Sequence, residues 1–538
     1  MKIALCQINT TVGDLNLNKD KILKYYFKAI EQNVDIVAFP ELSVTGYPPQ
    51  DLLLENGFIE DNINILKEIA SQATLPMIIG YVRKENGKLY NSAALCQNGK
   101  VTNTYDKMLL PTYDVFDEDR YFENGKVPGI WELTINGKNI NLGIQICEDL
   151  WDSEYDTKVS KLQKIKGAEL IINISASPYH EGRIAERQEL IKEKVRDIKI
   201  PFLYCNLIGG QDELIFDGES LAYNANCEQV AQGKVFEEDI IIVDIESETP
   251  KDFPVISNEE KLYNALCLGI KDYFRKTGHT DALIGLSGGI DSALVACIAA
   301  DALGKERVHG ISMPSLFSSD HSKSDAKELA DNLKIKYDSI AIQNVVNTIE
   351  TALQEQFEGT IRNVAEENIQ ARTRGNILMA ISNKFGWMVL STGNKTEIAL
   401  GYCTLYGDMS GGLSVISDLS KVDVYRVSRW VNEVAGYDRI PKSTLDKAPS
   451  AELSEDQVDP FDYDIVSPLV DEIIEGRKSP KELIENGADK ALVMKLYRLI
   501  RINEFKRRQA APGLRVSPKA FGAGRRVPIV NHYQGKLV

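Results

Sequence analysis

Residues 282–292 read Ala-Leu-Ile-Gly-Leu-Ser-Gly-Gly-Ile-Asp-Ser, and residues 293–300 continue as Ala-Leu-Val-Ala-Cys-Ile-Ala-Ala. A short apolar run, a glycine pair and a longer apolar run without breakers predict a buried strand over 282–286, a tight loop, and a helix over 292–303. Glycine admits the turn, the loop's N–H groups face an anion, and the helix N-terminus adds partial positive charge, so the stretch predicts a phosphate cradle. Asp291 stands where a carboxylate would hold Mg2+ against phosphate oxygens.

Beyond this unit, strands near 307–312 and 387–391 alternate with helices near 322–333 and 366–384. That order predicts a doubly wound, parallel, Rossmann-like α/β sheet. A helix over 258–276 precedes it, and before that the polar stretch 246–254, with prolines at 250 and 254, reads as a linker. The linker divides the chain into domains 1–250 and 251–538. In the first domain, apolar runs predict strands at 2–8, 34–39, 76–80, 93–97, 140–146, 170–175, 202–207 and 240–244. A helix over 19–31 carries Ile22, Tyr26 and Ile30 at helical spacing. The Arg-, Pro- and Gly-rich stretch 506–530 is expected to wrap the second domain as an ordered tail.

Bulk composition narrows the function classes. A chain of 538 residues exceeds what one hydrophobic core supports. Its net charge of −16 argues against a general nucleic-acid binder, which needs a basic surface for phosphates. No apolar run is long enough to span a bilayer, and the short strand-like run after Met1-Lys2 is not a secretion signal, so a cytoplasmic protein without a membrane partner is expected. The eight cysteines form no C-x-x-C pair and the five histidines are dispersed, which excludes a sequence-encoded disulfide framework or structural zinc site.

Three segments of the first domain each set a reactive side chain just past an apolar strand: Pro40-Glu41-Leu42, Tyr105-Asp106-Lys107 and Ile146-Cys147-Glu148-Asp149. Together they supply what amide hydrolysis through a thioester requires. A thiol needs a base to take its proton, the role expected of Glu41 acting on Cys147, and the oxyanion needs a donor such as Lys107. Glutamate, lysine and cysteine residues of this kind, taken singly, are more often solvated turn, surface and core residues.

The segments 40–47 (PELSVTGY), 105–122 (YDKMLLPTYDVFDEDRYF) and 146–151 (ICEDLW) resemble the nitrilase, or carbon-nitrogen hydrolase, superfamily. That resemblance implies an α-β-β-α sandwich and a catalytic Glu-Lys-Cys set at Glu41, Lys107 and Cys147. In glutamine-hydrolysing members, further positions hold the substrate amino acid, and these match Tyr113, Ser177 in Ser175-Ala176-Ser177-Pro178, and Arg183 here.

In the second domain, the absence of any G-x-x-x-x-G-K-[ST] disfavours a P-loop enzyme. Residues 285–289 also satisfy G-x-S-x-G, the nucleophile elbow of α/β-hydrolases with Ser287 as nucleophile, but no feature recommends a partner histidine; His532 is the latest in the chain. S-G-G-x-D-S instead resembles the PP-loop ATP pyrophosphatases, and 390–397 (LSTGNKTE) with Tyr406-Gly407-Asp408 is similar to their NAD synthetase branch. The resemblance implies ATP binding by Gly285, Leu286, Ser287, Gly288, Gly289, Ile290, Asp291 and Ser292, together with Thr392 and Lys421. It implies deamido-NAD+ contacts from Asn368, Glu397 and Lys506, and Mg2+ held by Asp291 and Glu397. Leu405 departs from the basic residue that ammonia-using relatives often carry before Tyr-Gly-Asp.

The expected reaction is a relay, with ammonia released from glutamine in one domain and used in the other to amidate deamido-NAD+ through an acyl-adenylate, at the expense of ATP. The resemblance also implies a homo-oligomer. Two other readings are an amidase fused to a PP-loop ligase for another carboxylate, and a Ser287-based hydrolase.

Overall fold

The computed structural model describes residues 1–246, 252–454 and 457–533. The chain divides into two compact units, Met1–Val255 and Ile256–Val538. Of the linker expected over 246–254, residues 247–251 lie outside the described residues.

The first unit is built on two six-stranded sheets. One runs Asp239–Asp244, Lys2–Gln7, Ile36–Ala38, Met77–Glu85, Lys88–Gln97, Lys100–Asp106 in spatial order; the other runs Gln229–Gln232, Leu221–Tyr223, Phe202–Asn206, Leu170–Ser175, Lys138–Ile146, Gly129–Ile135. Side chains on a strand alternate between faces. Ile3, Leu5, Ile36 and Ile78 of the first sheet therefore meet Leu142, Ile144, Ile172 and Ile174 of the second in one core. The opposite parity, Ala4, Cys6, Val37, Met77 and Ile79, packs under the helices Leu15–Ile30 and Asn56–Ser71. Ile171, Phe202 and Tyr204 likewise face the helix Arg183–Ile198 through Ile191 and Val195. The layers are helix, sheet, sheet, helix, the sandwich the resemblance implied.

The helix expected over 19–31 starts four residues earlier, because Asp14 caps it by accepting from Leu17 N at 3.1 Å. The edge strands Lys100–Asp106 and Gly129–Ile135 and the hairpin Ile208–Gln211 with Leu214–Asp217 were not expected; each carries polar residues or glycines that mask strand character.

In the second unit five parallel strands run Lys336–Ser339, Val308–Ser312, Ala282–Gly285, Met388–Ser391, Leu413–Ser414. The chain moves outward one way from Ala282–Gly285, then returns to place Met388–Ser391 on its other side, so a crevice opens at the carboxyl ends of these two strands. Leu283, Ile311 and Val389 pack on one face against Val346 of the helix Gln343–Ala352 and Ile369 and Leu378 of Val364–Phe385. The helix Ile290–Leu303 is buried on nearly every side from Ile290 to Ala300, which explains its uniformly apolar sequence. Residues 512–517 of the tail are pinned where Ser414 N donates to Pro512 O and Asp418 accepts from Val516 N and Ser517 N. No helix among the described residues is long and apolar enough to cross a membrane.

Candidate active sites

Glu41, Lys107 and Cys147 each follow a strand, and they converge on one buried centre. Glu41 is fully buried, Lys107 is 1% exposed and Cys147 4% exposed. Lys107 Nζ lies 2.7 Å from Glu41 Oε1. Glu41 Oε1 also accepts from Asn91 Nδ2 at 2.8 Å, and its Oε2 accepts from the Ala176 N–H at 2.8 Å. The Glu41 loop can lie against the strand Met77–Glu85 because residue 80 is glycine: a Cβ there would stand 2.2 Å from Leu42 N.

A fourth charged residue, Glu118, completes the centre and was not singled out in the sequence. Both of its carboxylate oxygens accept from Lys107 Nζ at 2.9 Å, and Oε1 also accepts from Tyr47 OH at 2.9 Å. Burial opposes the Lys107 charge, but Glu118 and Glu41 outweigh it and hold the ammonium well above its ordinary range. Burial, reinforced by Glu41, raises the Glu118 carboxyl in spite of Lys107.

Cys147 opens a short helical turn, Cys147–Leu150, with a left-handed backbone (φ 41°) that L residues adopt only under constraint. Asp149 supplies that constraint: its carboxylate accepts from Ile146 N at 2.9 Å, from Met108 N and Leu109 N at 3.0 Å, and from Tyr105 OH at 2.8 Å. The cysteine turn is thereby tied to the lysine loop. Burial, and then the negative charge of Glu41, push the Cys147 thiol well above its ordinary value, with Lys107 acting the other way. The resting group is a thiol, so attack requires a base at hand.

Around this centre stand the residues matched to glutamine recognition. Tyr113 OH donates to both oxygens of Glu148 at 3.1 Å, and Tyr155 OH donates to Glu148 Oε1 at 3.0 Å. Burial pushes the Glu148 carboxyl up to about 7. The Arg183 guanidinium lies 3.6 Å above the Trp151 ring, and buried Arg183 Nε, Trp151 Nε1 and Ser177 Oγ have no hydrogen-bond partner among the described residues. Buried unpaired donors are expensive unless a ligand takes them. Glu148 and Trp151 were legible only as members of the ICEDLW segment.

In the second unit, Ala282–Gly285 leads through Leu286, Ser287, Gly288 and Gly289 into the helix Ile290–Leu303. Gly288 has φ +78°, and a Cβ there would stand 2.3 Å from Ser322 O, so only glycine closes this loop. Ser287 Oγ bonds Ser292 Oγ at 3.1 Å and accepts from Gly289 N at 3.2 Å. His309 pairs with Asp281 at 2.9 Å, at the amino end of the strands and away from Ser287, and His532 is exposed. Among the described residues the hydrolase reading finds no Ser-His pair, since the partners of Ser287 Oγ are Ser292 Oγ and Gly289 N.

The loop borders a cavity of about 410 Å³ that is also lined by Asn368, Thr392, Glu397, Lys421 and Lys506. All the residues matched to ATP or deamido-NAD+ thus meet around one space, except Gly288, which supports the loop from behind. Lys421 is 3% exposed and bridges two carboxylates, Asp291 Oδ2 at 2.5 Å and Glu397 Oε1 at 3.1 Å. Asn394 Nδ2 donates to Asp291 Oδ1 at 2.9 Å. Burial pushes the Glu397 carboxyl up to about 7 against the pull of Lys421. Asn368 Oδ1 accepts from Thr404 Oγ1 at 2.7 Å, and Lys506 Nζ donates to Gly401 O and Cys403 O, each at 2.8 Å. Leu405 offers its carbonyl to Arg372 Nε at 3.2 Å. Arg374, absent from the sequence reading, also lines the cavity; burial lowers its guanidinium to about 10, against Glu452 and Asp408.

Residues 2–254 match the carbon-nitrogen hydrolase family and residues 262–510 match the NAD synthase family. The class is therefore an amide-hydrolysing sandwich joined to an NAD synthase unit. The glutamine-dependent NAD(+) synthetase of Synechocystis sp. is 42% identical, over 99% of this chain and 99% of that protein. The protein of the same name from Thermotoga maritima is 39% identical over the full length of both. The structure of the glutamine-dependent NAD+ synthetase of Acinetobacter baumannii in complex with ADP superposes with a TM-score of 0.80, at 36% identity, over 98% of each chain. That of Cytophaga hutchinsonii, 23% identical, shares the fold, with a TM-score of 0.85 over 99% of this chain and 98% of that one. The chain belongs to the glutamine-dependent NAD(+) synthetases.

Proposed function

We propose that the chain hydrolyses glutamine at Cys147 and uses the ammonia to convert deamido-NAD+ to NAD+ at the expense of ATP. The observation that carries the first half is the buried convergence of Glu41, Lys107 and Cys147. The Cys147 thiol adds to the glutamine amide carbon while Glu41 takes its proton. Lys107, fixed by Glu41 and Glu118, donates to the developing oxyanion. Collapse expels ammonia, with Glu41 returning the proton to the leaving nitrogen, and water then cleaves the thioester to glutamate. Arg183 and Ser177 receive the substrate α-carboxylate, and Glu148, presented by Tyr113 and Tyr155, receives the α-ammonium.

In the second unit, the loop 285–292 and Lys421 hold the ATP phosphates, with Thr392 against the nucleotide. Asn368, Glu397 and Lys506 contact deamido-NAD+, whose nicotinate oxygen attacks the ATP α-phosphorus and releases pyrophosphate. Ammonia attacks the resulting acyl-adenylate, expelling AMP. Among the described residues no group of three or more His, Cys, Asp or Glu side chains is placed to hold a metal. The oxygen donors Asp291 and Glu397 nevertheless fit Mg2+, which takes one or two protein carboxylates and completes its shell with water and substrate phosphates. When bound it would offset charge on the leaving pyrophosphate. We infer a cytoplasmic location and a homo-oligomer.

Pyrophosphate release from ATP, measured with deamido-NAD+ against other carboxylic acids, tests the substrate assignment. Release specific to deamido-NAD+ is expected; equal release with an unrelated acid would favour a ligase for another carboxylate.

A further inference from the structure

Behind the glutamine-binding residues lies a buried ion pair that the mechanism does not use. Arg187 is fully buried on the helix Arg183–Ile198, one turn beyond Arg183. Its Nη2 donates to Asp217 Oδ1 at 3.0 Å, and its Nη1 lies 3.6 Å from Glu219 Oε2. Asp217 is also fully buried. A buried pair of this kind is weak evidence for stability, because its desolvation penalty rivals its attraction and well-packed apolar residues often serve as well. Its connections give it another use.

The same Asp217 Oδ1 accepts from Asn206 Nδ2 at 2.9 Å. Asn206 turns its own Oδ1 to the Ser177 N–H at 3.0 Å. The preceding N–H, that of Ala176, holds Glu41 Oε2 at 2.8 Å. On the far side, Tyr179 N donates to Ile215 O at 2.6 Å, and Pro178 bridges Phe216, the residue before Asp217. One carboxylate oxygen is thus tied to two separate segments. One is the helix that begins with Arg183, and the other is the turn that carries Ser177 and steadies Glu41.

We propose that Asp217, with Arg187 and Asn206, is a positioning device for glutamine capture, setting the separation of Arg183 and Ser177 around the substrate α-carboxylate. This rests on the reading of Arg183 and Ser177 given above. Neither Asp217 nor Arg187 is a catalytic residue. Their effect passes through side chains that meet the substrate.

Two variants test it in the full-length enzyme. Asn206→Ala cuts the link to Ser177 and leaves the ion pair in place. The double change Arg187→Met with Asp217→Leu removes both charges of that pair together, and Glu219 keeps its hydrogen bonds from Gln188 Nε2 at 3.0 Å and Gln232 Nε2 at 3.2 Å. Each is expected to raise KM for glutamine by about tenfold or more, the equivalent of one well-placed hydrogen bond. NAD+ formation with ammonium is expected to keep its wild-type kcat and KM for ATP, a split that a general loss of structure would not produce. A double variant that melts as wild type and takes glutamine with unchanged KM would overturn the proposal. Arg183→Met serves as reference. If it raises KM while the other two variants do not, the positioning device fails and the pocket stands; if it too leaves KM unchanged, the pocket assignment beneath the proposal fails.

Discussion

Glu118 grips Lys107 with both carboxylate oxygens, each 2.9 Å from Nζ, in a site where neither side chain is more than 6% exposed. The lysine proposed to face the oxyanion is thereby fixed before substrate arrives, and preorganised donors are what stabilise such a charge. Glu118→Gln keeps the shape but loosens the grip. It is expected to lower glutamine turnover by about 100-fold, the scale of a misplacement near 1 Å, while ammonium-driven synthesis is unchanged. Glutamate release and NAD+ formation, assayed side by side, check both halves of that statement.

Glu148 gives the glutaminase a pH limb. Its carboxyl is raised to about 7 by burial, with Lys107, Tyr155 and Tyr113 acting the other way, and it must be ionised to receive an α-ammonium. Below about pH 7, kcat/KM for glutamine should therefore fall by about tenfold per unit. Glu148→Gln should lower the plateau and abolish the limb; a limb retained in this variant would assign the titration elsewhere. Folding stability runs in the opposite sense. A raised carboxyl contributes stability that is complete below its unfolded value and is lost as pH rises through about 7.

Lys421 bridges Asp291 and Glu397 in the proposed ATP site, so neutralising either carboxylate removes one of the two contacts that hold the lysine. Asp291→Asn is expected to reduce NAD+ formation by about 100-fold or more with either nitrogen source, yet to leave the glutaminase unit competent to release glutamate. Pyrophosphate release with ammonium as the nitrogen source is the direct readout.

Gly80 is required by a close approach and not by its own backbone. A methyl group at this position would stand 2.2 Å from Leu42 N and 2.7 Å from Glu41 C. Gly80→Ala should destabilise the first unit by about 1–3 kcal/mol through overpacking, and it should impair glutamine use beyond that loss because the displaced loop carries Glu41. Thermal melting and glutamine kinetics separate the two effects.

The sandwich was implied by the family resemblance alone, whereas the inner strands such as Lys2–Gln7 and Leu170–Ser175 were legible because they are mostly apolar and almost entirely buried. Strand Lys100–Asp106 was not: it lies at a sheet edge, and its Thr, Asn and Lys side chains face outward. Glu41 and Cys147 were visible because each interrupts an apolar context, and Lys107 because the segment 105–122 carries the family resemblance. Glu118 sits among Asp117, Asp119 and Arg120, where a solvated turn is the ordinary expectation. Arg187 is hidden in the same way. It occupies the buried stripe Ile184, Arg187, Ile191, Val195 at helical spacing, and only the facing carboxylate shows why a charge belongs there.

The central claim is that a thiol in one unit supplies the ammonia consumed in the other. NAD+ formation by Cys147→Ala from deamido-NAD+ and ATP, with glutamine or with ammonium as the nitrogen source, tests it most directly. The predicted result is no synthesis from glutamine and wild-type synthesis from ammonium. Glutamine-driven synthesis that survives the loss of the thiol would contradict it.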